Sequence, residues 1–192
     1  MKLKSLIAGA VLAGATLSTS AMAADYIVDT KGAHASINFK VSHLGYSWLE
    51  GRFDQFDGQF SYDESKPEAS TVSINIDPAS VSTNHAERDK HIRSDDFLDV
   101  AKYPSASFKS TGFKPNGNGG ATLSGELTLH GVTKPVELAV SKIGEGKDPW
   151  GGYRAGFTGT TEFKMKDFGI TKNLGPASET VYMTLHVEGI KQ

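Results

Sequence analysis

The chain of 192 residues contains no cysteine. No disulfide can staple it, so apolar burial and backbone pairing must hold the fold unaided. Nor is there an excess of positive charge, since 20 lysines and arginines face 22 acids for a formal net charge of −2. Nucleic acid, which asks for a basic face, is therefore not an expected partner. Beyond residue 23 no apolar run approaches the roughly 20 residues that cross a bilayer as a helix. Familiar chemical motifs are missing as well: there is no G-x-S-x-G elbow for a serine nucleophile and no H-x-H or H-E-x-x-H for zinc. Gly117 to Gly120 lacks the Lys-Ser/Thr that completes a phosphate loop, and reads as a hairpin turn. His34, His43, His85, His91, His130 and His186 are scattered, and the pair at 85 and 91 falls on different faces of any helix. A metal site and a cofactor are not expected. No repeat, linker or charge block divides the chain, so one domain is the default.

What is present begins with a leader. Lys2 and Lys4 precede an apolar run from Leu6 to Leu17, followed by Ala21-Met22-Ala23, the pattern of a cleaved secretory signal. Residues 1–23 are expected to be removed, leaving a single domain over 24–192, exported to the periplasm. Loss of the two leader lysines takes the net charge from −2 to −4.

Period-two alternation then dominates. Ala35, Ile37, Phe39 and Val41 alternate with polar residues, and the pattern returns through Val72 to Ile76, Ala106 and Phe108, Leu123 to Leu129, Val136 to Val140, Phe157 to Phe163 and Val181 to Val187. With an opening strand at Tyr26 to Asp29 and a long one over 49–62, this makes eight or nine half-buried strands. Short connections such as His130-Gly131 favour antiparallel neighbours, and so many strands avoid open edges by closing into a barrel or folding into a sandwich. One region breaks the rhythm. Asn84 is placed to cap a helix with Glu87 in a capping box, and Ser94 with Asp95 and Asp96 to start a second that Tyr103-Pro104 ends. Phe97, Val100 and Ala101 are the expected inward residues of this excursion. Glu87-Arg88-Asp89-Lys90 alternates in sign and reads as a solvated helix face.

HLGYSWLEGRFDQFDGQF, residues 43–60, sets aromatics among glycines. Leu49, Gly51 and Phe53 share one parity and Phe56, Gly58, Phe60 and Tyr62 the other, so one inner face is kept only if an irregularity such as a β-bulge falls near Asp54-Gln55. Gly125 and Gly159 fall on inner faces too. Small and large residues either interlock to fill a core or leave a channel for an apolar ligand, and the pattern leaves both open.

Several motifs resemble the YceI family of exported, lipocalin-like, polyisoprenoid-binding proteins. They are Asp29 through His34; Phe39, Val41, His43, Leu44 and Gly45; Gly51-Arg52-Phe53; Arg88-Asp89 with His91 through Ser94; Asp96-Phe97; Tyr103-Pro104; Leu127 through Val136; and Asp167 through Ile170. The similarity covers about Tyr26 to Ile190. It departs at Leu98, where a second aromatic is common, and at Lys166, where arginine is. The resemblance implies an all-β, eight-stranded antiparallel barrel with a short helical insertion around a long isoprenoid tail. On that reading Phe39, Val41, Phe53, Phe56, Phe60, Ile74, Phe97, Phe108, Leu127, Leu129, Phe157, Phe163 and Met183 line the tail, and His43, Arg93 and Asp95 serve the polar head at the mouth. The expected ligand is a polyisoprenoid lipid, of quinone or polyprenyl type, held for transport, storage or sequestration, with transient membrane contact. The same residues leave open a filled barrel serving as an interaction module, an enzyme acting on an isoprenoid head, and either a monomer or a homodimer.

Overall fold

A computed structural model describes residues 23–192; the leader expected over 1–23 lies, but for Ala23, outside the described residues. Eleven strand segments form one antiparallel sheet: β1 (Ala24–Val28), β2 (Ser36–His43), β3 (Ser47–Phe53), β4 (Phe56–Tyr62), β5 (Thr71–Ile76), β6 (Val81–Ser82), β7 (Ala106–Pro115), β8 (Gly120–Leu129), β9 (Val132–Lys147), β10 (Tyr153–Lys164) and β11 (Thr180–Lys191). Pairing of β1 with both β4 and β11 closes the sheet. β2 continues the line of β1 along β11, β3 continues β4, and β6 continues β5, so the segments make eight staves of a closed barrel.

The interruptions have local causes. Between β3 and β4, Asp54 and Gln55 leave the ladder, a two-residue break where the parity change demanded an irregularity. Phe53 and Phe56 consequently both face inward. The break between β5 and β6 holds a 3-10 turn begun by Pro78, with the Asp77 side chain accepting from the Ala79 amide at 2.8 Å.

Residues 83–105 leave the barrel and roof its upper end. Here two expectations fail. Asn84 adopts a left-handed conformation (φ 61), which asparagine tolerates, so the cap falls to His85, whose Nδ1 accepts from the Arg88 amide at 3.2 Å. The one α-helix among the described residues, α1 (Ala86–Arg93), ends at Ser94. From there the chain runs through turns, among them Asp99 at φ 43, and forms no second helix. The expected solvated face holds at Glu87 and Lys90, which are exposed, and fails at Asp89, which is buried and accepts hydrogen bonds from the Thr83 amide, at 2.8 Å, and from its hydroxyl. An unpaired charge there would be expensive, and Thr83 supplies the pairing that ties α1 to the barrel rim.

The lower end is tied by charge. Arg154 donates to Asp29 and Glu188, each at 2.6 Å, and to Asp148 at 2.9 Å. Asp29, 6 % exposed, also accepts from His34 Nδ1 at 2.9 Å and from the Gly32 amide at 2.8 Å. These bonds, led by those from His34 and Arg154, hold its carboxyl far below the usual carboxylate range. Asp29, His34 and Glu188 lie within metal-ligating distance of one another. The Arg154 guanidinium, however, already donates to both Asp29 and Glu188 there, which makes the corner an ion-pair lock.

Candidate functional site

The glycines on the inner wall do not all do the same thing. A side chain at Gly51 would collide with the Phe39 ring, one at Gly125 with Phe108, and one at Gly58 with Ile74 and the Ser73 backbone. At those positions a neighbouring ring or branched chain occupies the space a β-carbon would take, which is interlocking core. Gly159 differs: a β-carbon there meets Leu138, Val140 and the Ala139 carbonyl at ordinary contact distances of 3.7–3.9 Å. The aromatics between glycines in 43–60 divide likewise. Phe53, Phe56 and Phe60 turn inward, Phe60 stacking on Tyr26 at 4.8 Å between centroids, whereas Tyr46 and Trp48 lie outside, 88 % and 53 % exposed.

Interlocking leaves the barrel hollow. An upper cavity of about 370 Å³ lies beneath the roof and a lower one of about 130 Å³ sits deeper in the barrel. Ile76, Leu127, Phe163 and Met183 border both, forming a waist. The upper volume falls within the range of small-molecule pockets, and the walls are almost wholly apolar, as such pockets are.

Most of the expected lining residues face this space. Phe39, Val41, Phe53, Phe97, Leu129 and His43 border the upper cavity; Phe60, Ile74, Phe108 and Phe157 the lower; Leu127, Phe163 and Met183 both. Three lie elsewhere. Phe56 packs against the lower core cluster without reaching either cavity. Arg93 turns to the rim and donates to the Val81 carbonyl at 3.3 Å, and Asp95 is exposed to solvent. In place of those two, α1 presents Arg88, His91 and Ile92 to the upper cavity. Their i, i+3, i+4 spacing puts them on one face, a signal that could have been read from the sequence. Arg93 follows Ile92 by a 100° turn and leaves that face.

The polar inventory is short. Arg88 is held by Thr83, its Nε donating to the hydroxyl at 2.7 Å and Nη2 to the carbonyl at 2.6 Å. His91 shares Asp96 with Lys172, both at 2.7 Å, and hydrogen bonds from Lys172 and then His91 hold the Asp96 carboxyl below its ordinary range. With His43, these residues can offer hydrogen bonds to a polar group under the roof. In the lower cavity Ser70 lines the wall, and its buried hydroxyl has no partner. No buried acid–base pair faces either cavity among the described residues, whereas the hydrophobic walls suit a long apolar chain.

These features define the class of the fold, a closed antiparallel barrel with one short helix and an apolar lumen. Within it the chain belongs to the YceI family: the YceI-like domain matches residues 26–189. A UPF0312 protein of Ectopseudomonas mendocina strain ymp is 62 % identical over 190 residues, covering 99 % of this chain and all of that one. The crystal structure of Burkholderia cenocepacia BcnA superposes with a TM-score of 0.73 at 23 % identity, over 84 % of this chain and 98 % of its own. A polyisoprenoid binding domain from Saccharophagus degradans, implicated in plant cell wall breakdown, superposes at 0.61 with 19 % identity, over 89 % and 100 %. At those identities the two structures establish the shared fold.

Proposed function

We propose that this protein binds a polyisoprenoid lipid, of isoprenoid quinone or polyprenyl type, in the barrel lumen and carries, stores or sequesters it in the periplasm without chemical change. The observation that carries the proposal is the pair of apolar cavities stacked along the barrel, with Ile76, Leu127, Phe163 and Met183 lining both. A filled interaction module needs no such space. Support comes from the polyisoprenoid binding domain that shares the fold and from the leader-like residues ahead of the barrel.

Energetics favour a carrier. Burying hydrocarbon from water yields about 0.8 kcal/mol per methylene, so a tail of several prenyl units would nominally exceed the roughly 18–21 kcal/mol ceiling of non-covalent affinity. Water is the wrong reference, because such a tail starts in a bilayer, already dry. Lumen and membrane are then nearly balanced, and loading is reversible. Transient membrane contact fits the rim, where Leu44, Tyr46 and Trp48 are exposed on the β2–β3 hairpin, between His43 and Leu49, which border the upper cavity. Lys40 lies over the Trp48 ring at 4.6 Å, a pairing suited to a headgroup layer.

The test is transfer. Lipid-free protein mixed with vesicles carrying an isoprenoid quinone, then separated by size, should emerge with quinone approaching one per chain. Protein emerging empty, although folded, would refute the proposal.

A further inference from the structure

β9 and β10 do not stay paired along their length. Their ladder runs from Tyr153 opposite Lys147 to Thr160 opposite Ala139 and stops there. Beyond that point, residues 132–138 of β9 pair with β8 alone, and residues 161–164 of β10 pair with β11 alone. The upper barrel wall is split. A side chain spans the split, Thr161 Oγ1 donating to the Glu137 carbonyl at 2.7 Å, where a continuous sheet would bond backbone to backbone. Above it the 3-10 turn Met165–Phe168 closes the gap, with Phe168 buried and its carbonyl bonded to His130 Nδ1 at 3.1 Å.

The sequence builds this edge. Pro135 has no amide proton to give a neighbouring strand, and proline inside a sheet is confined to free edges and irregularities. Continuing the register would also set Glu162 opposite Glu137, two like charges on the outer face.

On the outside a groove of about 810 Å³ follows the split, with Lys40, Lys134 and Tyr182 on its walls. Val136, Thr161, Phe163 and Met183 border both this groove and the lumen, and the last two belong to the waist between the cavities. Only side chains therefore separate the groove from the middle of the lumen.

We propose that the split between β9 and β10 is a lateral portal: a chain lipid passes between the strands into the lumen at its waist, and its polar end remains in the outer groove near Lys40 and Tyr182. The portal rests on the lumen being a lipid site. Thr161 is the latch, and rotation of Phe163 and Met183 opens the path without unpairing a strand.

Because the chain has no cysteine, the split can be locked selectively. Glu137→Cys with Glu162→Cys places thiols at the positions that continued register would oppose, and uptake of dansyl-geranylgeraniol is followed by stopped-flow fluorescence. The oxidised form should load at least about tenfold more slowly than the reduced form of the same protein, to the same final amplitude. Thr161→Val, which removes the latch in the otherwise unaltered chain, should load several-fold faster than the parent. Equal rates for oxidised and reduced forms, or an unchanged rate for Thr161→Val, would overturn the portal while leaving lumen binding intact. Absence of any saturable signal from the parent protein would instead remove the lumen reading, and the portal with it.

Discussion

Replacing Gly159 with leucine separates a hollow barrel from a filled one. Gly159 faces the lower cavity, and a β-carbon there meets Leu138 and Val140 at 3.7 Å, so the backbone has no reason to move. The four added carbons enter a space of about 130 Å³. If tail normally occupies it, three or four methylene equivalents are displaced, and at about 0.8 kcal/mol each the loss is about 2–3 kcal/mol, or about 30- to 150-fold in Kd. Stability should move the other way: glycine inside a strand costs about 0.5–1 kcal/mol, and the new side chain buries apolar surface. Titration with a fluorescent prenol, paired with thermal unfolding of the ligand-free protein, reads both quantities. Weakened binding with an equal or higher Tm is the expected result. An unchanged Kd would refute the reasoning, because it would mean that the ligand never reaches the lower cavity. A marked fall in Tm would show that Gly159 has no room to give.

Three further outcomes follow from the polar contacts. Asp29→Asn removes the charge that answers Arg154 and His34 in a nearly closed site and should cost about 2–3 kcal/mol in chemical denaturation. Because the folded-state pKa of Asp29 is depressed, its stabilisation is fully present above about pH 4 and is lost as acid approaches that lower value; urea midpoints should therefore fall more steeply below pH 4 in the parent than in Asp29→Asn. Ser70→Ala deletes a buried hydroxyl that has no partner, so ligand-free protein should be unchanged or stabilised by up to about 1 kcal/mol, and a clear loss by the same assay would contradict the contact pattern. Asp89→Ala strands the Thr83 amide and hydroxyl and should loosen α1, seen as faster amide exchange across 86–93 than across β8.

How far the fold was legible depended on periodicity. Alternation at Ile37, Phe39 and Val41 or at Leu123, Gly125 and Leu127 names the inner face directly, because a strand buried on one side repeats every two residues. The parity switch between Phe53 and Phe56 even located a break. Roof residues carry no two-residue alternation, and only the i, i+3, i+4 spacing of Arg88, His91 and Ile92 marks a face there. Ile170 and Leu174 reach the upper cavity from non-repetitive chain, and a mixed-charge helix such as 86–93 ordinarily faces water, so Arg88 and His91 were passed over for Arg93 and Asp95. The cap at His85 was missed because asparagine is the better capping residue on average; here Asn84 is used for its tolerance of positive φ. The choice between interlocking core and channel lay beyond pattern altogether, since a glycine opposite a ring looks the same in sequence whether the ring fills its place or leaves it open.

The central claim is that the hollow barrel holds a greasy chain in the cell. Protein produced from the full sequence, residues 1–23 included, and purified without detergent can be extracted with organic solvent and the extract weighed by mass spectrometry. A polyisoprenoid recovered at close to one per chain is the expected result. An extract with no lipid, or one containing only non-lipid material in stoichiometric amount, would contradict it.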